Sequence, residues 1–148
     1  MILLCLWHYN LITKIIELCA NNYDTKTFNH CLRVANYVVD NVCLENDEEK
    51  ETAFILAMCH DLLEDTTVTT EDIHTITGYA KSFLDNVLGA LTKQKNEKYI
   101  DYIKRLKTNK STYPYIIKLA DMKDHLNQTE TLTEKLRDKY WEALPYLL

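Results

Sequence analysis

Apolar residues recur every three or four positions along almost the whole chain, with polar residues between them, which is the pattern of amphipathic helices. The stretch NLITKIIELCAN sets Ile12, Ile15, Ile16 and Cys19 on one face. TFNHCLRVANYVVDNV does the same with Phe28, Cys31, Leu32, Ala35, Val38, Val39 and Val42. A third helix starts in the acidic ENDEEKE, where carboxylates suit a first turn, and is expected to continue through TAFILAMCHDLL. The β-branched DTTVTT then breaks the chain, Thr69 or Thr70 caps EDIHTIT, and Gly78 stops it. YAKSFLDNVLGALTK and NEKYIDYIKRLKT predict two more helices. STYPYIIKLADMKDHLNQ predicts another, with Pro114 tolerated in its first turn, and TLTEKLRDKYWEALPYLL closes the chain. The expected fold is all-α, a single domain over residues 1–148, built as a bundle of roughly seven or eight helices.

Composition narrows the classes of function. A chain of 148 residues can remove roughly 70% of its unfolded surface from water. Two glycines and two prolines leave little turn punctuation for an all-β fold. A net charge of −5 argues against a nucleic-acid surface but leaves room for a small anion held by a metal and a few lysines. The five cysteines form no CxxC pair and each sits in an apolar context, as buried free thiols in a reducing cytoplasm would. MILLCLW is too short to span a bilayer and lacks a basic n-region, so neither membrane insertion nor a signal peptide is expected; it should pack on the core.

The chemistry concentrates in MCHDLLEDTTVTTED, where His60, Asp61, Glu64 and Asp65 crowd six positions. On a continuous third helix these acids would sit at the C-terminal end, where the helix dipole opposes them, and Asp61 would repel Asp65 one turn away. A bound dication would offset both costs. His30, His60, Asp61 and Asp121 each fall inside an apolar helical pattern, where an imidazole or carboxylate needs a partner. Mixed nitrogen and oxygen donors suit Mn, Fe, Co or Zn. Glu64 and Asp65, one turn beyond His60 and Asp61, can take a proton from water beside the metal or orient it. The bland alternatives are a solvated acidic helix end and a satisfied core histidine, and the recurrence of His30 and Asp121 in matching contexts weighs against them. Lys93, Lys95, Lys98, Arg105 and Lys118 are candidate phosphate cations, and Tyr99 and Tyr102 either face a base or pack. Asp124 and His125 share the helix face of Asp121, placed to orient a ligand, touch substrate or simply lie at the surface. His8 and His74 lack suitable partners and read as structural. YWEALPYLL reads as core, with Trp141 and the last leucines offering a homodimer contact.

The order His30, then His60–Asp61, then Asp121 resembles the HD superfamily of metal-dependent phosphohydrolases. HDLLEDTTVT resembles more narrowly the hydrolase domain of the Rel/Spo-type alarmone enzymes and the small alarmone hydrolases. In those, a histidine–aspartate pair is followed three and four residues later by a catalytic glutamate–aspartate pair. FNHCLRVA, FLDNVLGALTK and IIKLADMKDHL match in order, so the resemblance covers about residues 10–147. It implies an HD-type helical bundle, one metal ion (usually Mn²⁺), and removal of the 3′-pyrophosphate from (p)ppGpp to leave GDP or GTP. His30, His60, Asp61 and Asp121 would be the ligands, and Glu64 and Asp65 would act on the attacking water. The chain departs from that family at two places. The segment before His30 is short and offers only Lys26, where the family has an Arg–Lys pair, and Asp124–His125 stand where the family has histidine–asparagine. Lys26, Lys93, Tyr99, Asp124 and His125 are the candidate substrate contacts. Three alternatives stay open: an HD enzyme for another nucleotide or phosphoester, a non-catalytic nucleotide-binding module, and a helical interaction protein with no metal.

Overall fold

A computed structural model describes the backbone of residues 2–148 and the side chains of residues 10–148. The packing expected of MILLCLW, the thiol of Cys5 and the role of His8 lie outside the described residues. The described chain is helical throughout, with no strand: α1 (Ile2–Asn22), α2 (Thr25–Asn41), α3 (Asp47–Met58), α4 (Leu62–Asp65), α5 (Thr70–Thr77), α6 (Lys81–Leu91), α7 (Tyr99–Lys107), α8 (Tyr113–Asn127) and α9 (Glu134–Leu147). Among the described residues no helix is long and apolar enough to cross a membrane.

The helix ends follow from short polar side chains. Asp24 accepts from the N–H of Thr27 to start α2, Asn46 from Glu49 to start α3, and Thr133 from Leu136 to start α9. Thr69, one of the two residues expected to cap α5, forms a reciprocal capping box with Asp72. Gly78 ends α5 with a left-handed φ of 72°, a conformation that favours glycine.

One expected helix is divided. α3 stops at Met58, and Cys59–Asp61 form a tight turn before the single turn of α4. Cys59 and Asp61 both sit near ψ 0°, and the bonds from His60 N to Ala57 O and from Leu62 N to Cys59 O span three residues rather than four. The hydroxyl of Tyr23 and the thiol of Cys19, both on α1, donate to the carbonyl of Met58 at 3.0 and 3.5 Å. Partners from another helix thus satisfy a carbonyl that a continuing helix would have used. The acids therefore do not crown a long helix, because the helix ends before them.

The core is one cluster, with Ile15, Val34, Leu56, Met58, Leu88, Ile103 and Ile117 fully removed from water. Each such aliphatic side chain contributes roughly 1.5–3 kcal/mol on burial. α2 lies between α3 and α8, while α9 packs on α7 and α8. Cys19, Cys31 and Cys59 are buried free thiols, as expected, but Cys43 is exposed because it follows the end of α2 in the connection to α3. On α9, Tyr140, Ala143 and Leu147 face the core, whereas Trp141 and Tyr146, with the terminal Leu148, are exposed.

Candidate metal centre and adjoining cleft

Three segments distant in sequence meet at one end of the α2–α3–α8 packing. α2 brings His30, the α3–α4 turn brings His60 and Asp61, and α8 brings Asp121; His30, His60 and Asp121 are buried. The Nε2 of His30 stands 3.1 Å from Oδ1 of Asp121 and 3.9 Å from Oδ2 of Asp61. The Nε2 of His60 stands 3.3 Å from Oδ1 of Asp61 and 3.9 Å from Oδ1 of Asp121. Potential ligand atoms of His30, His60 and Asp61 lie within 4.8 Å of one another, as do those of His30, Asp121 and His125.

The opposite nitrogen of each imidazole decides what those contacts are. Nδ1 of His30 lies 2.7 Å from Oδ2 of Asp124, and Nδ1 of His60 lies 2.6 Å from the carbonyl oxygen of Ala57. Both partners are acceptors, so each Nδ1 carries the proton and, in the neutral ring, each Nε2 is a lone pair. These two Nε2 atoms are buried and have no hydrogen-bond partner. Lone pairs facing carboxylate oxygens at about 3–4 Å require positive charge between them, which fits a divalent ion with mixed imidazole and carboxylate ligands. The electrostatics agree. Burial opposes charge on His30, yet Asp121 and Asp124 raise its pKa, and against the same opposition Asp61 and Asp121 raise that of His60 well above the usual imidazole value.

Asp121 is itself held. Its Oδ2 pairs with the ammonium of Lys118 one turn earlier, leaving Oδ1 toward the imidazoles. Burial alone would raise its pKa, but Lys118, His125 and His30 keep it well below the carboxylate range. Asp124 points away from the cleft: it takes His30 on one side and a two-pronged contact from Arg33, at 2.7 and 2.9 Å, on the other.

A cleft of about 250 Å³ opens beside this cluster, and its lining includes Asp61, Glu64, Asp65, Asp121 and His125. Burial and the neighbouring charge of Asp61 raise the pKa of both Glu64 and Asp65. The lining also includes Lys93, Tyr99, Tyr102, Lys118, Lys139 and Tyr140, with the ammonium of Lys118 paired to Asp121. Of the substrate contacts expected from sequence, Lys93, Tyr99 and His125 meet here. Lys26 does not; it lines an adjoining groove with His30, Arg33, Asp124 and His125, the last of which is shared with the cleft. Asp124 is taken up by His30 and Arg33. Arg105 has structural work, forking onto Glu97 and the carbonyls of Ala90 and Thr92, while Tyr102 lines the cleft with its hydroxyl donating to the carbonyl of Leu91. Lys95 and Lys98 are exposed and do not line the cleft. His74 meets the carbonyl of Tyr79, in keeping with a structural role.

Comparison with protein families matches the HD domain over residues 27–126. The chain belongs to the HD domain family. Every residue of the buried His–Asp cluster, together with Glu64 and Asp65, lies inside the matched segment. The family supports metal-dependent phosphohydrolase activity, and this HD domain presents the His and Asp groups that such activity needs. No curated protein matches the chain. Lys139 and Tyr140 fall beyond the matched segment and were not foreseen, because RDKYWEAL reads as an ordinary amphipathic helix.

Proposed function

We propose that this HD domain is a Mn²⁺-dependent nucleotide pyrophosphohydrolase that removes the 3′-pyrophosphate of (p)ppGpp. The observation that carries the reading is the pair of buried Nε2 lone pairs of His30 and His60 facing the oxygens of Asp61 and Asp121, with Glu64 and Asp65 beside them on the cleft. The string HDLLEDTTVT supports the narrower substrate.

His30, His60, Asp61 and Asp121 would hold the ion. A divalent ion there supplies Lewis acidity toward a phosphoryl oxygen and makes nearby water easier to deprotonate. Glu64 and Asp65 divide the proton work. One would take a proton from the attacking water and the other would protonate the departing ribose oxygen, a division that their raised pKa values support. The water oxygen bonds to the proximal phosphorus, the bond from that phosphorus to the 3′ oxygen breaks, and pyrophosphate leaves. Lys118 keeps Asp121 ionised and placed throughout.

A second reading, hydrolysis of another nucleotide or phosphoester at the same centre, is favoured by the engagement of Asp124 by His30 and Arg33. Purified protein with Mn²⁺ and ppGpp should release pyrophosphate and GDP. Turnover of other nucleotides with none of ppGpp would establish the second reading. Metal binding without turnover of any nucleotide or phosphoester, unaltered by Glu64→Gln, would leave only a binding module. A cytoplasmic location is supported by the free thiols of Cys19, Cys31 and Cys59, and a homodimer by the exposed Trp141 and Leu148.

A further inference from the structure

The proposed metal centre with Glu64 and Asp65 forms the metal pole of the cleft, and the same lining carries three lysines in different electrostatic situations. Lys118 is compensated by Asp121. Lys93 is fixed but not neutralised: its ammonium donates to the carbonyls of Gln94 and Glu97 at 3.3 and 3.0 Å, which carry no net charge. The loop that holds it is braced by the Arg105 fork on Glu97 and turned by Asn96, whose φ is 68°. Lys139 comes from α9. Its ammonium sits 4.6 Å from the ring centre of Tyr99 and 4.7 Å from that of Tyr140, and among the described residues no carboxylate lies within ion-pairing distance.

Burial and the charge of Lys118 lower the pKa of Lys139, so an anion beside it would relieve a cost the free protein carries. The hydroxyl of Tyr99, in the same lining, is buried without a hydrogen-bond partner. Two ammonium groups without a carboxylate partner and an unpaired hydroxyl line the same cleft as the metal pole and offer an anion subsite beside it. The cleft, at about 250 Å³, is below the roughly 300–1,000 Å³ of pockets that enclose a drug-sized ligand. It has room for linked phosphates while the nucleoside lies toward the rim.

We propose that Lys139 and Lys93 clamp the distal phosphate of a pyrophosphoryl group whose proximal phosphate lies at the metal centre, so that the cleft reads two linked phosphates rather than one. The assignment rests on the pyrophosphohydrolase reading above and adds to it the residues that distinguish a diphosphate from a monophosphate. Lys139 lies outside the segment matched to the HD family, residues 27–126.

The test is calorimetric titration of Mn²⁺-loaded protein with inorganic pyrophosphate and, separately, inorganic phosphate. Wild type should bind pyrophosphate more tightly. Lys139→Met, which keeps the stem packed on the tyrosine rings but removes the charge, should weaken pyrophosphate about tenfold or more and change phosphate affinity less than about twofold, since a lone phosphate stays at the metal pole. Lys139→Arg should retain most of the preference, and Lys93→Met should repeat the Met result. Unfolding temperatures of the variants, compared with wild type, show that the fold is kept. If wild type prefers pyrophosphate and Lys139→Met leaves that preference intact, or weakens both anions equally, the clamp is wrong while the pyrophosphohydrolase reading stands. If metal-loaded wild type binds neither anion, both fall together.

Discussion

Nδ1 of His30 donates to Oδ2 of Asp124 at 2.7 Å, joining α2 to α8 and deciding which nitrogen of His30 faces the Asp61–Asp121 oxygens. Asp124 can do this while half-buried because Arg33 neutralises it from the other side. Burial would raise its pKa, yet Arg33 and His30 hold it below the ordinary carboxylate value. Replacing the carboxylate by an amide keeps the shape but turns an –NH₂ toward one of two donors. Asp124→Asn is therefore expected to lower metal affinity by roughly 10–100-fold, measured by equilibrium titration of chelator-stripped protein. Unchanged affinity would mean that the ring of His30 is oriented without Asp124.

The same crowding makes metal a stabiliser. Without a cation, two imidazole lone pairs and the carboxylates of Asp61 and Asp121 face one another across about 3–4 Å. Binding to the folded state alone, at a free metal concentration 100 times Kd, adds about 2.7 kcal/mol. At about 2–4 °C per kcal/mol for a domain of this size, Tm should rise by on the order of 5–10 °C. Calorimetric scans with EDTA and with Mn²⁺ read this directly. Asp121→Ala should abolish the shift, and a wild type whose Tm ignores Mn²⁺ has no such site.

Much of this architecture is visible in the order of residues. The 3.6-residue apolar period marks the helices, and Thr69, Gly78 and Pro114 mark ends that short-range chemistry decides. His30, His60, Asp61 and Asp121 stand out because ionisable groups inside apolar patterns need partners. The break at Cys59–Asp61 was not visible, because it depends on Tyr23 and Cys19, which lie 35 and 39 residues from Met58 and act only once α1 packs on α3. Lys139 was hidden for a similar reason. Nothing local separates it from Lys135 on the same helix, and only the packing of α9 over α7 and α8 brings it to the cleft. Asp124 showed its proximity to Asp121 but not its partners, since Arg33 is 91 residues away.

Glu64 is both useful and costly. Burial and Asp61 raise its pKa, so the folded state holds a proton on it more tightly than the unfolded chain does. A group raised in this way contributes stability below its unfolded pKa and loses that contribution as pH rises through the folded value. At neutral pH, then, ionised Glu64 weakens the fold. Glu64→Gln should raise the Tm of chelator-stripped protein at pH 7 while reducing kcat/KM by roughly 10²–10⁴-fold. For the wild type, activity should fall on acidification with an inflection above the roughly 4.3 of a free glutamate. Full activity in Glu64→Gln would remove it from the proton-transfer step.

Tyr23 tests whether the divided helix is what places His60. Its hydroxyl donates to the Met58 carbonyl at 3.0 Å, and the only other side-chain donor there among the described residues is the weak thiol of Cys19 at 3.5 Å. Tyr23→Phe keeps the buried ring and removes one hydrogen bond, at a cost of about 1 kcal/mol or on the order of 2–4 °C in Tm. Met58 is two residues before His60, so the turn that sets the His60 and Asp61 side chains should loosen and metal affinity should fall with Tm. Lys81→Ala is the control: it cuts an exposed pair with Asp85, of the kind that contributes about 0.2–1 kcal/mol, far in sequence from the turn, and should leave metal affinity alone. A Tyr23→Phe protein that melts earlier yet binds Mn²⁺ as wild type does would show that the backbone of Cys59–Asp61 keeps its own shape, and that α1 stabilises the fold without shaping the site.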